Sequence, residues 1–407
     1  MSNRRQIKSK VRLRKGEYLR DNNTFEYKWS DRRGKRHSVY AKTISELRVK
    51  EEEIIKSILD GIDYSKLEAT VNSYFELWKE LKTGIRETTF AGYVRYYERY
   101  VQPEFGNLKL KDVSYSTVVL FFKKMARERG LCFSTIQKIE VTLSMILDVA
   151  VRDEIIRSNP CKGALRELQR EIGDEQKVVC PLSLSEQKQL EDFLAKPGRF
   201  NKYYPVFTVM LWTGMRVGEV LGLRWDDIDF DRGIINVNHT LMHYDKGKGR
   251  GSAYKINPPK TKSSRRTVPM LPKVKNALLR EKEYQKLIGI KCNVEIDGYT
   301  NFVFVNSNGN VYHHKKLNYL LNQICEAINE EIHAEDPRAE DFPHVHNHML
   351  RHTFATRMRE AGADIKATSD MMGHEGIMIT LKTYTDASDE FKMREISVLD
   401  DYYGNAI

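Results

Sequence analysis

Apolar and polar positions change rhythm along this 407-residue chain, and the changes divide it. Near the amino terminus they alternate: Phe25, Tyr27 and Trp29 fall on one face at period two, with Glu26 and Lys28 on the other, the pattern of a half-buried strand. Residues 16–20 and 35–40 are similar short runs, and Asp21-Asn-Asn23 and Asp31-Arg-Arg-Gly34 separate the three as turns. This predicts a three-stranded antiparallel sheet, followed by a helix over 44–59 that Gly61 ends. From about Leu67 to Pro160 the period becomes helical. Val71, Tyr74, Phe75, Trp78 and Leu81 recur at helical spacing, as do Phe90, Tyr93, Tyr97 and Tyr100. Two more helices are expected over 117–129, stopped by Gly130, and over 134–153, stopped before Asn159-Pro160. The aromatic stripes read as core rather than as base-stacking platforms.

The polar stretch 167–177 reads as a linker. Beyond it Ser183-Leu-Ser-Glu186 suits a capping box opening a helix, and two helices then run to about Leu223. Strands are expected at 233–238, 254–256 and 265–269, with helices dominating to the end. The fold class is therefore α+β and mostly helical. It has a small three-stranded amino-terminal sheet domain with its helix (1–64), a helical domain (67–165) and a mixed α/β domain (178–407).

Charge adds a partner to this outline. The net charge is +11, and residues 1–42 hold fourteen Lys or Arg against four Asp or Glu. A basic segment on a nearly neutral body is an arm for a polyanion. No amphipathic pattern marks that segment for a membrane surface, and no apolar run approaches the length of a membrane span. Five scattered cysteines without a CxxC pair suit a reduced, cytosolic setting and argue against a thiolate zinc site.

Four clusters in the last half could carry chemistry. In Thr213-Gly-Met-Arg-Val-Gly-Glu219, Gly214 lets one helix end and another begin, which leaves Arg216 and Glu219 on one face. Pro258-Pro-Lys-Thr-Lys-Ser-Ser-Arg-Arg-Thr-Val-Pro269 is a basic hairpin tip. His344-Val-His-Asn-His-Met-Leu-Arg-His352 first suggests a metal site, but no glutamate lies between His348 and His352. In the other reading, His348 and Arg351 converge on an anion. The fourth cluster is Met372-Gly-His374 followed by Tyr384, which alone among 21 tyrosines has no special claim.

Taken together, Thr-Gly-x-Arg-x-x-Glu, Lys-Thr in a hairpin, His-x-Leu-Arg-His, Gly-His and a tyrosine ten residues on resemble the tyrosine recombinase family. The Lys260 region and residues 295–304 are similar to the integrases of conjugative transposons. The resemblance is strong in the catalytic half and architectural before residue 160. It implies a helical core-binding (SAM-like) middle domain, a catalytic tyrosine recombinase domain and a basic amino-terminal domain for arm-type DNA sites.

It also implies residue roles. Arg216 and Arg351 would clamp the scissile phosphate, Glu219 would support the site, and Lys260 would be the general acid, a role Lys262 could take in another hairpin register. His348 and His374 would assist at the phosphate with His352 behind them, and Tyr384 would attack. Arg12, Arg14, Arg20, Lys28, Arg32, Arg33 and Arg36 in the arm, and Arg86, Arg95, Lys123, Lys124 and Lys138 in the middle, are the candidate DNA contacts. The implied partners are double-stranded DNA with core-type and arm-type sites and further protomers in a homotetramer. The setting is a bacterial cytoplasm, and an excisionase and a host DNA-bending protein stay open as directors of the outcome.

The chemistry is self-consistent. A tyrosine hydroxyl with a pKa near 10 needs cationic neighbours to attack at neutral pH. Two planar guanidiniums match the charge that develops on a phosphodiester, so neither a metal nor another cofactor is expected. Gly247-Lys-Gly-Arg-Gly251 lacks the length and the Ser/Thr of a nucleotide-binding loop. A type IB topoisomerase, a catalytically silent DNA-binding regulator and a metal hydrolase are the alternatives. The carboxy-terminal segment from about residue 390 could fold in cis or dock on a neighbour.

Overall fold

The computed structural model describes residues 12–30, 34–59, 68–172, 180–246, 249, 251–259 and 265–374. The chain divides into two compact units with the boundary at Gln176.

In the first unit, β1 (Glu17–Leu19), β2 (Phe25–Ser30) and β3 (Arg36–Ala41) form an antiparallel sheet in that order, with Tyr27 opposite both Glu17 and Val39. The face carrying Phe25, Tyr27 and Trp29 packs on α1 (Ile44–Leu59) through Leu47 and Ile54, as period two predicts. The opposite face differs from expectation at Glu26. It is buried, with Arg20 donating to its carboxylate at 2.7 and 2.9 Å and the Tyr40 hydroxyl at 3.1 Å.

The rest of this unit is helical: α2 (Val71–Leu81), α3 (Glu87–Tyr96), α4 (Gln102–Phe105), α5 (Tyr115–Arg127), α6 (Phe133–Arg152) and α7 (Ala164–Ile172). Thr70 and Ser73 form the capping box of α2, and Ser114 caps α5. A wider, π-helical turn over Tyr97–Val101 joins α3 to α4. Pro103 follows it in the first turn of α4 and has no N–H to give the preceding turn, which favours the change of register. Trp78, Tyr97 and Phe122 are fully buried, and Phe75 stacks on Tyr97 at 3.6 Å, so the aromatic stripes are core. The polar stretch 167–177 is not all linker. Helix α7 runs to Ile172 because Ala164 and Leu168 are buried in the same core.

The second unit begins with α8 (Leu184–Ala195), opened by the Ser183/Glu186 capping box, then α9 (Tyr204–Thr213) and α10 (Val217–Gly222). Almost every residue of α9 is buried, which makes it the central helix, with α11 (Pro272–Ile288) and α13 (Asn347–Glu360) packed against it. Strands β4 (Ile228–Asp229), β5 (Ile234–Val237) and β8 (Arg266–Pro269) form one antiparallel sheet in that order. Strands β6 (Thr240–Asp245) and β7 (Ser252–Asn257) form a separate hairpin. Helices α12 (His314–Glu335) and α14 (Ile365–Met372) complete the unit. Strand β6 was absent from the sequence expectation. Only Leu241 in it is buried, so it carries no period-two signal.

Candidate functional site

The helix break at Gly214 sets the site's first corner. Gly214 caps α9 at φ 61°, in the left-handed region, and a Cβ there would run into the Phe354 ring. The chain restarts with Arg216 as the N-cap of α10. Its backbone N–H donates to Glu219 Oε2 at 2.8 Å and its guanidinium to Glu219 Oε1 at 2.9 Å. Arg351 comes from α13, whose start is tied to α12. The Asn347 backbone N–H donates to Asn318 Oδ1 at 2.8 Å and its side chain to the His314 carbonyl at 2.9 Å. Arg351 is 3% exposed and donates to the carbonyls of Gly214 (2.6 Å) and Met372 (2.7 Å).

A third guanidinium, which the motif reading overlooked, completes the cluster. Arg266 on β8 donates to both Glu219 oxygens (3.2 and 2.8 Å) and to the Met371 carbonyl. The last carbonyls of α14 and of its cap are thus held one by one: Met371 by Arg266, Met372 by Arg351, and Gly373 by Arg216 at 3.0 Å. A helix C-terminus carries partial negative charge and unpaired carbonyls, so three cations there are electrostatically matched. Gly373 (φ 66°) turns the chain out of α14 into His374. The signal for Arg266 was available: two residues before buried Val268 on a strand, it must share the inward face.

Among the described residues, three guanidiniums lie around the Glu219 carboxylate, and the electrostatics reflect it. Burial raises the Glu219 carboxyl, but the hydrogen bond from Arg266 and the charges of Arg266 and Arg216 outweigh it and hold the pKa below the usual value. Burial and then the charge of Arg216 bring Arg351 down to about 9, with Glu219 opposing the fall. His374 is lowered to about 4 by burial and by Arg351, Arg216 and Arg266. His348 is lowered for similar reasons, burial first and then His352 and Arg351. His348 keeps a solvent-exposed edge. His352, lowered by burial and Arg351, stands perpendicular to His348 with ring centroids 4.7 Å apart. Arg216, Arg351, His348, His346 and Asn318 line a cleft of about 400 Å³. Imidazoles held towards the neutral form beside clustered arginines suit the binding of an anion.

Arg216, Glu219, Arg351 and His374 therefore converge, with the His348–His352 pair alongside. Lys260, Lys262 and Tyr384 lie outside the described residues, as do Arg32 and Arg33. Among the other candidate DNA contacts, Lys123 pairs with Glu171 at 3.0 Å and Lys124 with Glu104 at 2.9 Å. Arg95 lies over the Tyr96 ring, Arg86 is the N-cap of α3, and Lys138 is exposed. In the arm, Arg20 and Lys28 pair with Glu26, and Arg14 lies 3.8 Å from Glu51. The Arg12 carbonyl accepts from Arg48, and Arg36 is exposed on β3. Among the described residues, no group of three or more His, Cys, Asp or Glu could hold a metal ion, and no helix is long and apolar enough to cross a membrane.

Comparison with known proteins bears on the same geometry. Residues 182–390 match the phage integrase family, residues 1–58 the DNA-binding domain of tn916 integrase, and residues 70–126 the N-terminal SAM-like domain of phage integrases. The chain is 27% identical to the transposase from transposon Tn1545 of Streptococcus pneumoniae, over 97% of this chain and 96% of that protein. It is also 27% identical to the transposase from transposon Tn916 of Enterococcus faecalis, over 95% and 94%. The solved Tn1549 transposon integrase in complex with transposon right end DNA superposes with a TM-score of 0.68 at 27% identity, covering 81% of this chain and 99% of that one. With a family match over half its length and the arginine cluster at its centre, this chain belongs to the phage integrase family of tyrosine recombinases.

Proposed function

We propose that this chain integrates and excises a conjugative transposon by cutting and rejoining DNA at specific sites. The relatives named for transposons support this reading, and so does the solved integrase bound to transposon-end DNA. The observation that carries it is the convergence of Arg216 and Arg351 on the end of α14, where both line the same cleft.

In this reading the scissile phosphate sits against Arg216 and Arg351, with Glu219 holding Arg216 in place. The Tyr384 hydroxyl passes its proton to a neutral imidazole of His348 or His374 as its oxygen attacks phosphorus, the bond to the 5′ oxygen breaks, and a 3′-phosphotyrosine forms. Lys260, or Lys262 in another register, gives the leaving oxygen its proton. His348 and His374 donate to the nonbridging oxygens, and His352 backs them. The developing charge meets donors already in position, which are worth roughly 10²–10³ in rate each. The phosphotyrosine conserves the ester's energy, so rejoining by the reverse attack needs no nucleotide.

The same proposal divides the chain into an arm-site domain (1–64), a core-binding domain (67–165) and a catalytic domain (178–407); the separate family matches support that division. Four protomers would bring two duplexes together in a bacterial cytoplasm, with a possible excisionase and DNA-bending protein as further partners.

The test is a nicked duplex from the element's own end, incubated with the protein in EDTA and resolved on a denaturing gel. A nick beside the scissile bond frees the leaving strand, so the covalent intermediate accumulates. The expected result is a DNA-shifted protein band that is lost in Tyr384→Phe while DNA binding persists. Tight binding with no band would favour a silent DNA-binding regulator. Relaxation of supercoils without joining of two sites would favour a topoisomerase.

A further inference from the structure

We propose that Arg266 is a positioning residue for strand cleavage: anchored on β8, it sets the geometry of Glu219 and of the α14 terminus on which Arg216, Arg351 and His374 depend. This inference rests on the recombinase reading and extends it to a residue to which the motif assigned no role.

The placement argues for it. The Arg266 side chain is 6% exposed and is not among the residues that line the cleft, which suits a residue acting through Glu219 and the end of α14. It sits opposite Val237 in a hydrogen-bonded strand pair, two residues from Val268, which lies opposite Ile235 in the core. A rigid strand is a better anchor than a loop for a site that must hold its geometry. From there the guanidinium spans two elements. It gives two hydrogen bonds to Glu219, whose other partner is Arg216, and one to the Met371 carbonyl at the end of α14.

A bidentate guanidinium on the carboxylate does two jobs. It keeps Glu219 ionised although buried, and it fixes the plane of a carboxylate whose Oε1 and Oε2 also accept from the Arg216 guanidinium and backbone N–H. The bond to Met371 sets the last turn of α14, whose next two carbonyls orient Arg351 and Arg216. Gly373 belongs to the same device, because a Cβ there would lie 2.8 Å from Arg266 Nη1. Loss of Arg266 therefore leaves both clamp arginines present but loosely aimed, and a misplacement on the order of 1 Å is enough to lower a rate about 10²-fold.

The experiment compares wild type, Arg266→Ala and Arg266→Lys on nicked core-site duplex. It measures single-turnover cleavage at saturating protein from pH 5 to 9, equilibrium DNA affinity, and melting with and without sulfate. The expected result for Arg266→Ala is a cleavage rate about 10²-fold lower, with affinity within about twofold of wild type. Its acid limb moves to higher pH, because Glu219, still facing Arg216 and Arg351, has lost its strongest partner. Arg266→Lys restores the acid limb but only part of the rate, since one ammonium cannot reproduce the fork. Sulfate should raise the melting temperature of wild type more than that of Arg266→Ala.

Wild-type cleavage in Arg266→Ala overturns the proposal. So does a loss matched by the fraction unfolded, with the acid limb unmoved in both variants. If Arg266→Ala does not fold, Arg266→Lys decides by the same limb and rate. If wild type forms no covalent band, the recombinase reading fails, and the sulfate comparison alone decides whether Arg266 organises the anion site.

Discussion

Replacing Arg351 by methionine should separate stability from function at this site. The arginine gives hydrogen bonds of 2.6 and 2.7 Å to the Gly214 and Met372 carbonyls. Bonds from a charged donor contribute about 1.5–3 kcal/mol each, so losing both costs about 3–6 kcal/mol. Against this stands the opposition to the cation itself. Burial and the charge of Arg216 bring its pKa from 12.5 to about 9, on the order of 5 kcal/mol against the charged form. Methionine fills similar space and carries no charge, so the two effects nearly cancel. The expected change in melting temperature is within about 8 °C, since 1 kcal/mol moves a domain of this size by about 2–4 °C.

Function should respond differently. Cleavage falls by 10²–10³-fold or more, the loss typical of one preorganised donor. Sulfate at ten times its dissociation constant should stabilise wild type by about 1.4 kcal/mol and the variant far less. The assay is thermal melting across a sulfate titration, paired with single-turnover cleavage. A melting temperature lowered by more than about 15 °C, or equal stabilisation of both proteins by sulfate, would refute an anion site built on a surplus guanidinium.

Two further outcomes test the physical reading of the catalytic unit. Glu281 on α11 is buried, and burial raises its pKa to about 7 although Gln285 donates to it at 2.7 Å. A carboxyl raised in the folded state contributes stability below its unfolded value near 4.5 and loses it as pH rises through 7. Glu281→Gln should therefore gain up to about 3 kcal/mol at pH 8 and little at pH 4, read by urea unfolding; an equal effect at both pH values refutes the assignment. Gly214→Ala combines a left-handed backbone with a Cβ against Phe354. It should lose roughly 2–4 kcal/mol and most cleavage activity, and an unchanged melting curve would overturn that.

Much of this protein was legible without coordinates. The sheet and α1, the helical middle with its aromatic stripe, the Ser183 cap and the break at Gly214 all follow from neighbours in sequence. Period, caps and breakers act over a few residues and need no tertiary context. The order and spacing of the motif residues likewise pointed to the family before any geometry. What local pattern misreads is burial imposed from afar. Residues 167–172 are polar in composition yet helical, because Ala164 and Leu168 reach a distant core. Strand β6 has no alternation because its hairpin keeps both faces partly solvated. Glu26 looks like a surface charge and is enclosed by Arg20 and Tyr40.

The site itself shows the division most clearly. Sequence supplied Arg216, Glu219, Arg351 and His374 as chemistry-bearing residues. Only the fold decided that Arg216 from α10, Arg266 from β8 and Arg351 from α13 each take one carbonyl at the end of α14. Those partners lie up to 157 residues apart, and nothing in a local window encodes which carbonyl a guanidinium reaches. A hydrogen bond is decided within a few tenths of an ångström, whereas the hydrophobic pattern that a sequence exposes specifies only which face turns inward.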